Sequence, residues 1–118
     1  MPHRLIETLI RNQRIVTVRT TSTVADTARL MRQCKIGTVM VVEKGRLSGI
    51  FSERDGLFRV LAQGRDPQTT SLGEVMTRDP ETITPDKPFG HALHMMYEGG
   101  FRHVPVVEDG VPIGMVSS

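Results

Sequence analysis

Displaced by 65 residues, this sequence lies over itself without a gap: residues 17–52 fall on 82–117. Thr17 meets Thr82, Met31 meets Met96 and Val39 meets Val104. Val41, Val42 and Glu43 meet Val106, Val107 and Glu108, while Gly45, Gly49 and Ser52 meet Gly110, Gly114 and Ser117. Where identity fails, apolar character holds: Val18 with Ile83, Val24 with Phe89, Leu30 with Met95, Ile36 with Phe101, Ile50 with Met115. A duplicated hydrophobic pattern means one supersecondary unit used twice. A single copy cannot cover both faces of a small sheet, so the copies are expected to pack by pseudo-twofold symmetry.

Each copy reads as β-α-β-β, and the first continues into a further helix. "IVTV" and "ETIT" are short runs rich in β-branched residues and predict strands. Val24, Ala28 and Met31 recur at helical spacing, with Ser22 or Thr23 as the cap and Asp26 in the first turn. In the second copy Pro88 stands near the first helical position. Phe89, Ala92, Leu93 and Met96 form the apolar stripe, and Gly99-Gly100 ends the helix. Lys44-Gly45 and Asp109-Gly110 are hairpin turns between β-branched runs. After Asp55 a second helix is expected, with Leu57, Phe58 and Leu61 on one face; the second copy stops before its equivalent. Ser71 and Glu74 have the spacing of a capping box and predict a short helix in the connector. The expected organisation is a lead-in over 1–15, a first repeat over 16–63, a connector over 64–81 and a second, shortened repeat over 82–118.

The bulk properties narrow the function. The 118 residues suffice for one compact domain, 38% hydrophobic and 24% charged. No apolar run approaches the roughly 18 residues of a membrane span. The first residues do not read as a signal peptide, because Glu7 and Arg11 interrupt the apolar run. The single cysteine, Cys34, cannot form an internal disulfide and suits a reducing compartment, with the cytoplasm as the expected location. The net charge of +2 is scattered and only 4% of residues are aromatic, so neither a basic stripe nor a stacking platform for nucleic acid is present. His91 and His94 lie three apart without a third ligand, so no metal is expected. No catalytic triad, phosphate loop or dinucleotide fingerprint occurs, and no enzymatic activity is expected.

A strand-helix-strand-strand-helix unit used twice, with G-h-x-S-x-x-D closing the first copy as "GIFSERD", resembles the CBS domain, named after cystathionine beta-synthase. The resemblance rests on "STVADTARLMRQCKIGTVMVVEKGRLSGIFSERD", on "PFGHALHMMYEGGFRHVPVVEDGVPIGMVSS" and on the connector "SLGEVMTRDPETI". It covers nearly the whole chain after about residue 15. It implies an α/β pair of repeats that binds an adenosine ligand (AMP, ADP, ATP, NAD(H) or S-adenosylmethionine) in clefts between the repeats. It also implies a regulatory sensor without catalysis, and a homodimer.

The resemblance gives Ser52 and Asp55 the ribose-phosphate. Asp55 can accept from both ribose hydroxyls, and Ser52 can donate or accept. The same pair is equally a helix cap, and the two roles are compatible for Ser52. Arg54 can reach a phosphate and Ile50 can face a base. Gly49 lets either a ligand ring or another backbone approach closely. In the second copy Arg102 and His103 precede "VPVV", where similar modules place basic residues near phosphate. Met115 would line the base and Ser117 the ribose-phosphate. Gly37 and Thr38 are the uncharged counterparts of Arg102 and His103, so the two clefts are expected to be unequal. Phe101 and Arg102 are candidates for the Asp55 cleft, and Ser22, Ile36 and Gly37 for the other. The competing expectation is a structural dimerisation module with empty clefts; a nucleic-acid accessory role ranks below it.

Overall fold

The computed structural model describes residues 3–118. In chain order its elements are α1 (Ile6–Ile10), β1 (Thr17–Arg19), α2 (Val24–Cys34), β2 (Thr38–Glu43), β3 (Arg46–Ser52), α3 (Glu53–Asp55), a π-helical segment Gly56–Leu61, α4 (Leu72–Val75), β4 (Thr77–Arg78), α5 (Phe89–Gly99), β5 (His103–Glu108) and β6 (Val111–Ser117). They form two compact units: Val16–Asp79, and residues up to Ile15 together with Pro80–Ser118.

The unit Val16–Asp79 carries a sheet of order β1-β2-β3-β4. β1 runs parallel to β2, and β2 and β3 form a hairpin. Its turn has positive φ at Lys44 (54°) and Gly45 (78°), the geometry that matches the twist of paired strands. α2 starts at Thr23, whose hydroxyl accepts the Asp26 amide at 3.1 Å; of the two candidate caps, Thr23 serves. It stops at Lys35 in the left-handed region. Val24, Met31, Val39, Val41, Phe51 and Val60 bury one core with Leu72, Val75 and Met76.

After Asp55 the helix does not keep α-helical spacing. Its π register closes wider turns, with the Ala62 amide reaching the Leu57 carbonyl at 2.9 Å and the Arg65 amide the Val60 carbonyl at 3.0 Å. Val60 therefore enters the core, while Leu57, Phe58 and Leu61 stay 50, 52 and 72% exposed.

The other unit repeats the hairpin as β5 and β6, down to the same register shift between two adjacent valines, Val41/Val42 and Val106/Val107. The strand expected at "ETIT" is reduced to one parallel bridge, Ile83 to Val106. Two prolines explain the loss. Pro85 stands where Thr20 donates its amide to Val42 in the first unit, and Pro105 stands at the position of Met40 within β2. Neither has an N–H to extend the ladder. On α5, Ala92 and Met96 are buried, but Leu93, expected in the same stripe, is 38% exposed.

Each unit contains the lead-in of the other copy. α4 precedes the second copy and buries Leu72 and Val75 in the core of the first; α1 precedes the first copy and buries Ile6 and Ile10 in the core of the second. The two arrangements match bond for bond. Leu72 and Gly73 donate their amides to the carbonyls of Ser22 and Thr20, each at 2.9 Å, while Val24 donates to Thr70 at 2.9 Å. Ile6 and Glu7 donate to Lys87 and Pro85 at 2.9 and 3.0 Å, while Phe89 donates to Arg4 at 2.7 Å. First-turn amides have no partner within their own helix, and here two helix starts satisfy one another. Fully burying Leu72 or Ile6 adds about 2 kcal/mol each.

The lead-ins then pass over one glycine in each unit. A Cβ on Gly49 would lie 2.6 Å from the Thr77 carbonyl oxygen and 2.7 Å from Met76 Sδ. A Cβ on Gly114 would lie 2.8 Å from Ile10 Cγ2. Beyond that crossing β4 pairs with β3 at Gly49 and Ile50. In the other unit the Gln13 side chain replaces such a strand: its Nε2 donates to the Met115 carbonyl at 2.9 Å, and its Oε1 accepts the Met115 amide at 2.7 Å.

Gly49→Ala must push backbone away and should cost about 2 kcal/mol. Gly37→Ala meets only the flexible Glu53 carboxylate end and should stay within about 0.5 kcal/mol. Urea unfolding of both variants checks this, and equal losses would contradict the packing. The Ser71 amide and hydroxyl hold the Glu74 carboxyl below its ordinary value, with Arg65 assisting. A lowered folded pKa stabilises above the unfolded value and fades as pH falls through the folded one. Replacing Glu74 by Gln should therefore flatten the acid limb of the urea midpoint against pH.

Candidate functional site

The end of β3 and the start of α3 carry the densest polar arrangement among the candidate residues. Asp55 Oδ2 accepts from the Ser52 amide at 3.0 Å and from the Ser52 hydroxyl at 3.1 Å. The Ser52 hydroxyl in turn accepts the Asp55 amide at 3.2 Å. This is a complete capping box, and it fixes both side chains before any ligand arrives. The Asp55 side chain is only 12% exposed. Its other oxygen, Oδ1, lies 3.4 Å from Arg59 Nε, and Arg59 Nη1 donates to the Met76 carbonyl at 3.0 Å. Two acceptor positions on Oδ2 are thus taken, while Oδ1 retains one.

Several other candidates stand beside this cap. The Gly37 carbonyl accepts the Glu53 amide at 2.9 Å, and Thr38 is the ladder partner of Ser52. Ile36 packs on the core edge. Ile50 is half-buried on β3. Arg54 points outward, its guanidinium carbon 5.6 Å from the Phe58 ring centroid, a cation–π contact. The Ser22 carbonyl is bound by the Leu72 amide. The approach that Gly49 permits is taken by Thr77 and Met76, so of the two sequence alternatives it is backbone that comes close there.

In the other unit His103 and Ser117 are ladder partners across the hairpin. Exposed Arg102 accepts the Ser118 amide on its carbonyl at 3.0 Å. Met115 is half-buried, with its backbone held by Gln13. Phe101 packs on that unit's core. The candidates thus form two sets, one in each unit.

Between α2 and the π-helical segment the unit Val16–Asp79 has an apolar groove of about 450 Å³. Val24, Ala28, Met31, Phe51 and Val60 line it, together with Ile36 and with Arg32 and Arg65. No group of three or more His, Cys, Asp or Glu side chains suited to a metal occurs among the described residues.

Arg59 was not legible as a site residue. Its only sequence signal is its place four residues after Asp55, the spacing of a helical ion pair. Removing the cap hydroxyl by Ser52→Ala should cost about 1 kcal/mol, and Ser52→Thr should recover most of it. Thermal or urea unfolding of the two variants reads this directly; no loss in the alanine variant would contradict the cap.

The geometry agrees with comparisons to known proteins. The CBS domain profile matches residues 7–61 and again 72–118. A mitochondrial CBS domain-containing protein of Arabidopsis thaliana is 38% identical over 103 residues, which are 83% of this chain and 50% of that protein. The chain spans half or less of the length of the first curated relatives it matches. Among solved structures, a protein with CBS domains from Burkholderia ambifaria superposes with a TM-score of 0.88 at 29% identity, covering 96% of this chain and 87% of the other. A CBS domain pair in complex with 5′-methylthioadenosine and S-adenosyl-L-methionine superposes with a TM-score of 0.86 at 26% identity, covering 99% and 91%. The chain belongs to the CBS domain family and carries two CBS repeats.

Proposed function

We propose that this chain is a regulatory module that binds an adenosine-containing ligand and contributes no catalysis. The observation that carries this reading is the Ser52–Asp55 box, whose nearly buried carboxylate keeps one acceptor position on Oδ1. A ribose presents a vicinal diol, and one of its hydroxyls can donate to the acceptor position left on Oδ1, so Asp55 takes one hydroxyl and not both as the sequence suggested. The ligands named for the related pair, 5′-methylthioadenosine and S-adenosyl-L-methionine, both carry adenosine, and this supports the ligand class. AMP and NAD(H) are the first candidates within it, with ATP and S-adenosylmethionine next. Ile50 in one unit and Met115 in the other are the proposed base contacts, with Ile36 as lining. Arg54, Arg102 and His103 are proposed for phosphate, with Ser117, Thr38, Gly37, Phe101 and Ser22 as further lining. We divide the chain into a lead-in over 1–15, repeats over 16–63 and 82–118, and a connector over 64–81.

Titration calorimetry with AMP, ATP, NADH and S-adenosylmethionine tests the reading. At least one should bind saturably, and Asp55→Ala should weaken it about tenfold or more, the value of a charge-assisted hydrogen bond. No binding of any of the four at millimolar concentration would overturn the sensor. Unchanged affinity in Asp55→Ala would overturn the site.

The exposed Leu57, Phe58 and Leu61 beside the apolar groove are the proposed dimer surface, and a second reading, a structural dimerisation module with empty clefts, draws on the same residues. Exposed apolar side chains grouped on one short segment favour association. We assign it to a homodimer, through which ligand binding acts by its differential affinity for two arrangements. Sedimentation of Phe58→Glu and Leu61→Glu should show monomers where the unmodified chain is dimeric. Dimers that survive both changes would contradict this surface. We retain the cytoplasm as the proposed compartment. No helix among the described residues is long and apolar enough to cross a membrane.

A further inference from the structure

Asp55 is held from both sides, but only one side belongs to the cap. Oδ2 is bound within the box by Ser52. Oδ1 is bound by Arg59, whose Nε lies 3.4 Å away. The far end of the same guanidinium reaches another part of the chain: Nη1 donates to the Met76 carbonyl at 3.0 Å and lies 3.5 Å from the Val75 carbonyl. These carbonyls close α4, where no intrahelical donor remains for them and a cation is favoured. Immediately afterwards Thr77 pairs with Ile50, its carbonyl crossing over Gly49.

We propose that Arg59 is a positioning residue for the Asp55 carboxylate and links occupation of that carboxylate by a vicinal diol to the segment Met76–Asp79. The link rests on the adenosine-binding reading; the positioning does not. Arginine suits the place because its rigid fork offers Nε to one partner and Nη1 to another, which a lysine ammonium cannot span in the same way. Oδ1 is also the oxygen with acceptor capacity left, so a ribose hydroxyl arriving there shares it with Arg59. A shift of the guanidinium then changes its hold on the Met76 carbonyl. That hold backs a segment whose Met76 amide donates to Leu72 at 2.8 Å and whose Asp79 amide donates to Ser48 at 3.2 Å.

The test compares unmodified protein with Arg59→Gln, Arg59→Lys, Asp55→Ala and the double variant Asp55→Ala with Arg59→Gln. Two readouts are used: calorimetric affinity for AMP and 2′-deoxy-AMP, and hydrogen exchange at the Met76 and Asp79 amides. If Arg59 positions the carboxylate for a diol, Arg59→Gln lowers the preference for AMP over 2′-deoxy-AMP by about tenfold, and lysine restores only part of it. Equal weakening of both nucleotides, or an unchanged preference, overturns the positioning role. AMP should also alter exchange at Met76 and Asp79 in the unmodified protein but not in Arg59→Gln; the same response in both overturns the link. If the unmodified chain binds neither nucleotide, the AMP form of the function falls and the link with it, and ligand-free exchange decides positioning. Arg59→Gln and Asp55→Ala should then each raise exchange at the two amides, with no further rise in the double variant. A rise in Arg59→Gln without one in Asp55→Ala, or no rise in either, overturns it.

Discussion

Two helix starts that satisfy each other's unpaired amides hold each unit together. Thr23 and Ser71 bridge in one unit, Leu5 and Pro88 in the other, and around each bridge three backbone bonds of 2.7–3.0 Å run between the crossing segments. A four-residue helix such as α4 is far too short to stand alone. It persists because its amides are taken by Ser22 and Thr20 and because Leu72 and Val75 are buried. The requirement then passes to the glycines. A segment docked this way runs so close to β3 and β6 that a side chain at Gly49 or Gly114 would collide with it. The glycine beside the Ser52–Asp55 box therefore has a packing reason of its own.

The same economy governs the candidate site. Ser52 and Asp55 would be needed to start α3 even if no ligand existed, and the box they form orients the carboxylate at no further entropic cost on binding. The acidic group is shielded yet neither buried without a partner nor fully saturated. Structural and functional readings of the motif are therefore not rivals. The cap supplies the rigidity, and the remaining acceptor position on Oδ1 is where the proposed ribose contact would form.

Much of this was legible in the sequence because duplication compares the chain with itself. The helix spacings, the Lys44-Gly45 and Asp109-Gly110 turns and the Ser71–Glu74 box all appear in the structure. What escaped depended on atoms that patterns do not weigh. The β-branched run at Ile83 promised a strand, but Pro85 and Pro105 withhold the N–H groups that a ladder needs. Leu57, Phe58 and Leu61 looked like a helical face, yet a π register turned Val60 inward in their place. Gln13 acting as a strand edge and Arg59 bridging to the connector are long-range contacts with no local signature. Nor does spacing reveal that α1 and α4 each serve the opposite copy.

The central claim is that the Ser52–Asp55 cap is also the grip for a ribose. Amide chemical shifts of the isotopically labelled full chain, followed through an AMP titration, test it most directly. The account predicts saturable shifts at Ser52, Asp55 and Arg59, all with one dissociation constant. Saturable shifts elsewhere that leave 49–59 unmoved would contradict it.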